Sequence, residues 1–152
     1  MRIAIGCDHA GFPLKAPAIE ELRRLGHDVL DLGTNSADAV DYPDVAQQVG
    51  EAVARGEADR GLLLCGSGVG ASVAANKVPG VRGAVCHDTF SARQGVEDDD
   101  MNVLCLGARV IGAELALEVI RAWQAATFSN AERHVRRLNK VKAIEARYQR
   151  RD

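Results

Sequence analysis

Short apolar runs alternate with longer amphipathic stretches along the chain. The short runs are rich in Val, Ile and Leu and are bounded by Gly, Asp, Asn or His, which is typical of buried parallel strands. They predict five strands, at Arg2–Cys7, Asp28–Leu32, Gly61–Cys65, Arg82–Cys86 and Asn102–Leu106. The longer stretches predict helices at Pro13–Leu25, Pro43–Arg55, Ala71–Lys77, Thr89–Val96, Gly112–Thr127 and about Ser129–Tyr148.

This alternation of strands and helices, joined by short connections, predicts one fold class. Right-handed crossovers between parallel strands put helices on both faces of a sheet. We therefore expect a three-layer α/β/α Rossmann-like sandwich with a five-stranded parallel sheet, formed as a single domain by residues 1–152. Ligands of such sheets bind at the carboxyl ends of the strands, so the residues after each strand are the first candidates for chemistry.

Composition excludes several classes of protein. The 19 Lys and Arg against 21 Asp and Glu give a net charge of −2, so no basic field attracts nucleic acid or an anionic membrane. Aromatic residues make up 4%, too few for a platform that stacks single-stranded nucleic acid. Apolar runs are too short for a membrane span, and the N-terminus has no signal-peptide features. We therefore expect a cytoplasmic protein that binds neither nucleic acid nor membranes.

The four cysteines form no C-x-x-C pair and have no zinc-type spacing with histidine, which favours free, buried thiols. They are Cys7, Cys65, Cys86 and Cys105. An acidic run, Glu97–Asp100, precedes the last predicted strand. A solvated loop is favoured there over a metal site, because adjacent carboxylates point in different directions and no second cluster completes a ligand set.

A glycine-rich segment between a strand and a helix, Cys65-Gly66-Ser67-Gly68-Val69-Gly70, is the strongest candidate for chemistry. Its backbone N–H groups can turn into one concavity, which suits a phosphate or an oxyanion that develops during a reaction. The same setting favours a thiolate at Cys65, which could act as base or nucleophile. The structural alternative is a tight turn that needs glycine for packing.

The same segment also fits a dinucleotide-binding fingerprint. Gly66 to Ala71 reads G-x-G-x-x-A, and Asp88 follows about 20 residues later. The predicted helix is short, however, and the fingerprint follows the third strand rather than the first. With no residues left for a separate substrate domain, a nicotinamide or flavin protein is the less favoured interpretation.

Two further motifs each allow a functional and a structural interpretation. Asp8 and His9 follow the first strand and could bind sugar hydroxyls or move protons, or Asp8 could form a turn that caps the next helix. Tyr42 lies in an Asp-Tyr-Pro-Asp segment that could place its hydroxyl at the same edge of the sheet. Taken alone, that segment more often caps a helix.

The C-terminal segment is basic, with eight Lys or Arg from Arg133 onward, including Arg150 and Arg151. A nucleic-acid arm is one interpretation, but apolar residues at helical spacing favour a packed helix. These residues are Val135, Leu138, Val141 and Ile144. Arg133 and Arg137 are four apart and could clamp a phosphate, with His134 beside them. Such a helix after a complete α/β unit predicts docking on a second subunit.

Four motifs together resemble the RpiB/LacA/LacB family of sugar-phosphate isomerases, of the ribose-5-phosphate isomerase B type. They are Gly6-Cys7-Asp8-His9-Ala10-Gly11, Asp41-Tyr42-Pro43, Cys65 to Gly70 with Ala74-Ala75-Asn76-Lys77, and Asn102-Val103-Leu104 with Gly107-Ala108-Arg109-Val110. The resemblance covers essentially the whole chain. It implies a homodimer or tetramer with active sites shared between subunits. It also implies interconversion of ribose 5-phosphate and ribulose 5-phosphate, or of a similar pair, without metal or organic cofactor.

The resemblance also implies a role for each matching residue. Cys65 corresponds to the base that moves a proton between C1 and C2, and Ser67 to the hydroxyl that assists proton movement between the oxygens. The amides from Gly66 to Gly70 correspond to the cradle of a cis-enediolate, which agrees with the anion-binding interpretation. Asp8 and His9 correspond to sugar-binding positions, and His134 and Tyr42 line the site. Phosphate-binding positions, some from the second subunit, are Arg109, Arg133 and Arg137.

One departure from the family pattern concerns the substrate. Asp98 and Asp99 stand where the family has His-Asn, and the resemblance assigns that histidine to opening a furanose ring and that asparagine to contacting substrate. A carboxylate is a poor proton donor at neutral pH. Either Asp98 or His9 opens the ring of ribose 5-phosphate, or the substrate needs no ring opening. A tetrose 4-phosphate such as erythrose or erythrulose 4-phosphate cannot close a furanose and would fit the second case.

Overall fold

The computed structural model describes residues 1–149 and confirms the predicted fold class. The strands are β1 (Arg2–Cys7), β2 (Asp28–Asp31), β3 (Arg60–Cys65), β4 (Gly83–Val85) and β5 (Val103–Gly107). The helices are α1 (Phe12–Arg24), α2 (Tyr42–Ala54), α3 (Val69–Ala75), α4 (Thr89–Asp99), α5 (Ala113–Ala125) and α6 (Glu132–Tyr148). None of the helices within residues 1–149 has the length and apolar character that crossing a membrane requires.

The five strands form one parallel sheet in the order β2-β1-β3-β5-β4. From β1 the chain moves to β2 on one side and then to β3 on the other, which leaves a crevice between the carboxyl ends of β1 and β3. The register pairs Cys7 with Leu64 and Cys65 with Gly107. The residues after β1, β3 and β5 therefore meet at one edge of the sheet.

Strand side chains alternate between two apolar layers, because successive residues of a strand point to opposite faces. Leu62 and Leu64 pack into the layer under α1, α4 and α5, which contains the fully buried Trp123. Leu63 and Cys65 pack into the other layer, under α2 and α3. Burial on both faces explains why these strands have nearly continuous apolar sequences.

The acidic run is not the loop that the sequence favoured. Glu97, Asp98 and Asp99 form the last turn of α4, and Asp100 ends that helix with a left-handed φ of 51°. Arg93 pairs with Glu97 at 2.9 Å, and Gln94 bonds Asp98 at 2.7 Å, each one helical turn apart. These contacts extend the helix through residues whose charge alone suggested a loop.

The start of helix α6 packs against α4. His134 and Leu138 are its buried residues, whereas Val141 and Ile144 are 52% and 62% exposed. The apolar stripe predicted for this helix is therefore only partly covered within one chain. Arg150 and Arg151, which belong to the predicted basic segment, lie outside the described residues.

Candidate active site

A cavity of about 340 Å³ lies in the crevice between the carboxyl ends of β1 and β3. Asp8 follows β1, Tyr42 begins α2, Cys65 ends β3, and Arg109 follows β5. Eight of the residues predicted for the site line this cavity: Asp8, His9, Tyr42, Cys65, Gly66, Ser67, Gly70 and Arg109. The structure thus brings together residues from four separate segments of the chain.

Cys65 is held at the cavity wall by the turn that follows it. Its side chain is 5% exposed, and its Sγ accepts a hydrogen bond from the backbone N–H of Gly68 at 3.1 Å. Gly68 has a left-handed φ of 83°, a conformation that glycine adopts without strain. The turn therefore brings an N–H donor to the sulfur at the cavity wall.

The predicted amide cradle is smaller than the glycine count suggested. The N–H of Gly68 is used by Cys65, and the N–H of Val69 donates to the Ser67 hydroxyl at 3.2 Å. Within residues 1–149 no acceptor is found for the amides of Gly66, Ser67 and Gly70. These amides are therefore the ones left to bind a ligand oxygen.

Tyr42 lies at the rim of the cavity rather than acting only as part of a helix cap. Its side chain is 43% exposed, and Asp41 makes no side-chain capping bond to α2. The ring packs on Gly70 so closely that a Cβ there would lie 2.6 Å from Tyr42 Cζ. The third glycine of the segment is thus needed for this contact.

Asp8 forms the turn that its motif allowed and also lies at the cavity. It is buried, and its Oδ1 accepts a hydrogen bond from the N–H of Gly11 at 2.9 Å, which forms the turn before α1. It also lines the cavity. His9 accepts a hydrogen bond at Nδ1 from the N–H of Val40 at 3.3 Å, so its neutral ring carries the proton on Nε2.

Arg109 is exposed and lies beside the glycine-rich turn. Its N–H donates to the carbonyl of Gly66 at 3.0 Å, and its side chain lies over the same glycine. The strand before it is fixed by His87, whose Nε2 accepts a hydrogen bond from the N–H of Gly107 at 2.8 Å. The guanidinium brings a positive charge to the cavity that suits a phosphate group.

Five of the predicted site residues lie away from this cavity in the same chain. They are Asp98 and Asp99 at the end of α4, and Arg133, His134 and Arg137 in the first turns of α6. Asp99 and Arg137 line a separate groove of about 530 Å³ beside the edge strand β4. Because β4 is at the end of the sheet and β1 and β3 are central, the two groups lie apart within this chain.

His134 is enclosed by polar partners from two segments. Its side chain is 7% exposed, and its Nε2 lies 3.4 Å from Asp98 Oδ1. Its Nδ1 lies 2.5 Å from the hydroxyl of Ser129. Asp98 Oδ2 also accepts a hydrogen bond from the side-chain amide of Gln94 at 2.7 Å. One oxygen of Asp98 therefore accepts a hydrogen bond, and the other faces the ring of His134.

The other three cysteines are core thiols, as the sequence favoured. Burial is the main cause that raises the pKa of Cys7 and of Cys105, and it raises the pKa of Cys86 to about 11. These thiols stay protonated at neutral pH. Only Cys65 of the four lines the cavity formed by residues 1–149.

Neither the metal nor the dinucleotide interpretation gains support. Among residues 1–149, no three His, Cys, Asp or Glu side chains lie together as metal ligands would. Asp88 is the N-cap of α4, and its Oδ1 accepts a hydrogen bond from the N–H of Ser91 at 2.6 Å. The carboxylate that a dinucleotide would need is therefore already bonded to its own helix.

Comparison with known proteins shows the family to which this chain belongs. The sequence model of the ribose/galactose isomerase family matches residues 3–141. The chain belongs to this family. Ribose-5-phosphate isomerase B of Escherichia coli is 47% identical over 96% of this chain and 97% of its own length. The D-erythrulose-4-phosphate isomerase of Pectobacterium atrosepticum is 44% identical over 84% of this chain and 85% of its own.

A solved structure agrees with this family assignment. Ribose-5-phosphate isomerase B of Clostridium thermocellum is 46% identical and superimposes with a TM-score of 0.95, over 98% of this chain and all of that one. This member of the ribose/galactose isomerase family is a sugar-phosphate isomerase, an enzyme that interconverts an aldose and a ketose. The names of its relatives state different sugar phosphates.

Sequence reasoning missed several residues around the two clusters. Ala10 and Val110 complete the lining of the cavity, and both belong to motifs that the resemblance already used. Gln94 and Ser129 were not singled out at all. Gln94 is one helical turn before Asp98, a spacing that would have found it had α4 been predicted long enough. Ser129 precedes α6 and carries no comparable signal.

Proposed function

We propose that this isomerase interconverts ribose 5-phosphate and ribulose 5-phosphate through a cis-enediolate, with Cys65 as the base. The observation that carries this proposal is the position of Cys65 Sγ at the wall of a cavity that also contains Ser67 and Arg109. A base, a hydroxyl and a cation are the groups that proton transfer on a phosphorylated sugar requires.

The proton transfer can be followed atom by atom. The Cys65 thiolate removes the hydrogen from C2 of the open-chain aldose, and the C1 oxygen takes up the negative charge as the enediolate forms. The free amides of Gly66, Ser67 and Gly70 stabilise this charge. The Ser67 hydroxyl assists the proton that moves from O2 to O1. Cys65 then returns its proton to C1, and the ketose is formed without gain or loss of atoms.

A second copy of the chain completes the site in this proposal. Arg109 binds the phosphate from one subunit, and Arg133 and Arg137 bind it from the other. Three valines around the cavity support such an interface, because Val69, Val73 and Val110 are each 57% exposed. Val141 and Ile144 on α6 are exposed as well, so apolar surface is present at both clusters.

Subunit complementation tests the shared site. We expect Cys65→Ala and Arg137→Ala to be nearly inactive separately. When the two variants are unfolded and refolded together, half of the dimers are mixed, and each mixed dimer has one site with intact groups from both chains. Activity then returns to about one quarter of the wild-type value. No recovery above the separate variants would show that each site is built from one chain.

A tetrose 4-phosphate is the second candidate substrate. The observation that favours it is Asp98, which stands at the family histidine position and accepts a hydrogen bond from the amide of Gln94. The Pectobacterium relative is named for erythrulose 4-phosphate. Measuring kcat/KM for ribose 5-phosphate and erythrose 4-phosphate side by side decides between them. We expect ribose 5-phosphate to be preferred by about tenfold or more, which is about 1.4 kcal/mol of transition-state stabilisation. The opposite preference would favour the tetrose.

A further inference from the structure

Ser129, His134 and Asp98 form a line of polar contacts between α4 and the start of α6. His134 is in the middle, with Asp98 Oδ1 3.4 Å from Nε2 and the Ser129 hydroxyl 2.5 Å from Nδ1. The histidine is buried, whereas Ser129 is exposed. The line therefore runs from a carboxylate, through a buried imidazole, to a hydroxyl at the surface.

Asp98 is fixed as an acceptor in this line. The amide of Gln94 donates to one oxygen, and the ring of His134 faces the other. A carboxylate in this position holds an imidazole with its Nε2–H toward the acid and stabilises the imidazolium when it forms. Asp98 is thus a positioning residue for His134.

The charge of His134 sets the direction of the Ser129 hydroxyl. When His134 is neutral, its Nε2–H faces Asp98, and Nδ1 accepts the hydroxyl hydrogen of Ser129. When His134 is protonated, Nδ1 donates instead. Ser129 Oγ then accepts from His134 and from the N–H of Ala131, which lies 3.1 Å away. A hydroxyl has one hydrogen and two acceptor sites, so the hydrogen of Ser129 is then free to be donated to another acceptor.

We infer that Ser129 is the proton donor that opens the furanose ring of the substrate, with His134 as its proton source and Asp98 as the residue that positions His134. This inference rests on the proposed function, because the line lies away from the cavity of its own chain and must serve the cavity of a second copy. Three residues together then supply the proton that opens the ring, for which the Asp98 carboxylate alone is a poor donor.

Ring opening moves one proton from His134 through Ser129 to the ring oxygen. The bond between C1 and the ring oxygen breaks, the ring oxygen takes the proton of Ser129, and Ser129 takes the Nδ1 proton of His134. The C1 hydroxyl loses its proton to water as the aldehyde forms, and water later returns a proton to His134. The open-chain aldehyde that results is the form from which Cys65 removes the C2 hydrogen.

Two measurements on the same enzyme separate ring opening from enediolate chemistry. Ribose 5-phosphate closes a furanose through its C4 hydroxyl. Ribulose 5-phosphate has its C5 hydroxyl blocked by phosphate and stays open. Turnover of ribose 5-phosphate therefore includes ring opening, whereas exchange of the C1 hydrogen of ribulose 5-phosphate with deuterium oxide, followed by NMR, does not.

The variants for this test are Ser129→Ala, His134→Gln and Asp98→Asn. We expect Ser129→Ala and His134→Gln to lower kcat/KM for ribose 5-phosphate by about 100-fold, the low end of what a positioned acid supplies, with C1 exchange within about threefold of wild type. Asp98→Asn acts through His134 and should lower kcat/KM for ribose 5-phosphate by about tenfold, again with C1 exchange close to that of wild type. Glu97→Gln removes a neighbouring charge from α4 and is the matched control, expected to match wild type in both measurements.

Each other outcome has a separate meaning. Ser129 is exposed and outside the core. If Ser129→Ala loses turnover and exchange equally, this residue has a binding or structural role, and the proton relay from His134 through Ser129 is overturned. Unchanged turnover in Ser129→Ala and His134→Gln would overturn it as well. If the wild-type enzyme turns over erythrose 4-phosphate but not ribose 5-phosphate, both the relay and the pentose proposal fail. If the wild-type enzyme turns over ribose 5-phosphate and the variants do so equally well, only the relay is contradicted and the proposed function is not.

Discussion

Cys65 Sγ and the backbone N–H of Gly68 are joined by a hydrogen bond of 3.1 Å across the turn that follows β3. The left-handed backbone at Gly68 makes this contact possible, since it directs the amide back toward the end of the strand. Among the four cysteines, Cys65 alone lines the cavity formed by residues 1–149. The hydrogen bond to Gly68 is the local geometry from which the proposed chemistry begins.

Alkylation by iodoacetamide near neutral pH should modify Cys65 before any other cysteine. Burial raises the pKa of Cys7, Cys86 and Cys105, so these thiols are both shielded and protonated. Peptide mass spectrometry over a time course is the measurement, with activity followed in parallel. We expect activity to fall with modification of Cys65 and a sugar phosphate to slow both. Inactivation that tracks another cysteine would contradict the site.

Replacing Gly70 with alanine should disturb the cavity through Tyr42. The added Cβ would lie 2.6 Å from Tyr42 Cζ, and the half-exposed ring must turn away from the site to make room. We expect KM to rise by about threefold to tenfold while the fold survives, as is typical when one contact to substrate is displaced. Gly112→Ala is the control, because nothing lies within 4 Å of a Cβ there.

A double-mutant cycle identifies the cause of that effect. In a Tyr42→Ala background the added methyl at position 70 meets no ring, so Gly70→Ala should change KM no further. If the two substitutions instead add, the loss does not pass through Tyr42.

Arg109→Ala should weaken substrate binding more than it slows the reaction. The guanidinium is exposed at the cavity and is assigned to the phosphate, and a hydrogen bond to a charged group contributes about 1.5–3 kcal/mol. We expect KM to rise by about tenfold or more, with a smaller effect in Arg109→Lys, which keeps the charge but loses the planar fork. Arg55→Ala removes an exposed cation paired with Glu51 and is expected to leave KM unchanged.

Stability should depend on the ionisation of Glu21, whose hydrogen bonds to Arg24 and Arg121 tie α1 to α5. These bonds lower the pKa of Glu21 to about 2 from an ordinary value of 4.5. Because the folded pKa is the lower one, the contribution is fully present above about pH 4.5 and is lost as pH falls toward about 2. Glu21→Gln should therefore be less stable than wild type at about pH 6, and the difference should shrink at about pH 3.

Urea unfolding at several pH values measures this difference, with Glu20→Gln as a control on an exposed neighbouring carboxyl. A stability difference for Glu21→Gln that stays constant from neutral to acid pH would show that lost packing, rather than ionisation, is its cause.

The sheet could be predicted because its strands are buried on both faces. Leu62, Leu63 and Leu64 alternate between two apolar layers, so the sequence shows one continuous apolar run that only a central strand explains. The position of the cavity could be predicted from the same pattern, since Asp8 directly follows one such strand and Cys65 ends another. Local sequence was sufficient for these features.

Other features depend on contacts between distant residues. The order that puts β5 between β3 and β4 is set by the crossovers and leaves no local signal. Helix α4 was predicted to end at Val96, because carboxylates in a row suggest a loop, whereas the Arg93–Glu97 and Gln94–Asp98 contacts carry the helix three residues further. The pairing of Asp98 with His134 joins α4 to α6, and neither motif alone indicates it.

The most direct test of the central claim is the turnover of ribose 5-phosphate by Cys65→Ala, with binding of the sugar phosphate measured by calorimetry on the same preparation. If Cys65 is the base, kcat falls by about 100-fold or more while Kd stays within about threefold, because the phosphate and hydroxyl contacts remain. Turnover at the wild-type rate in Cys65→Ala would contradict the account and remove this thiol from the reaction.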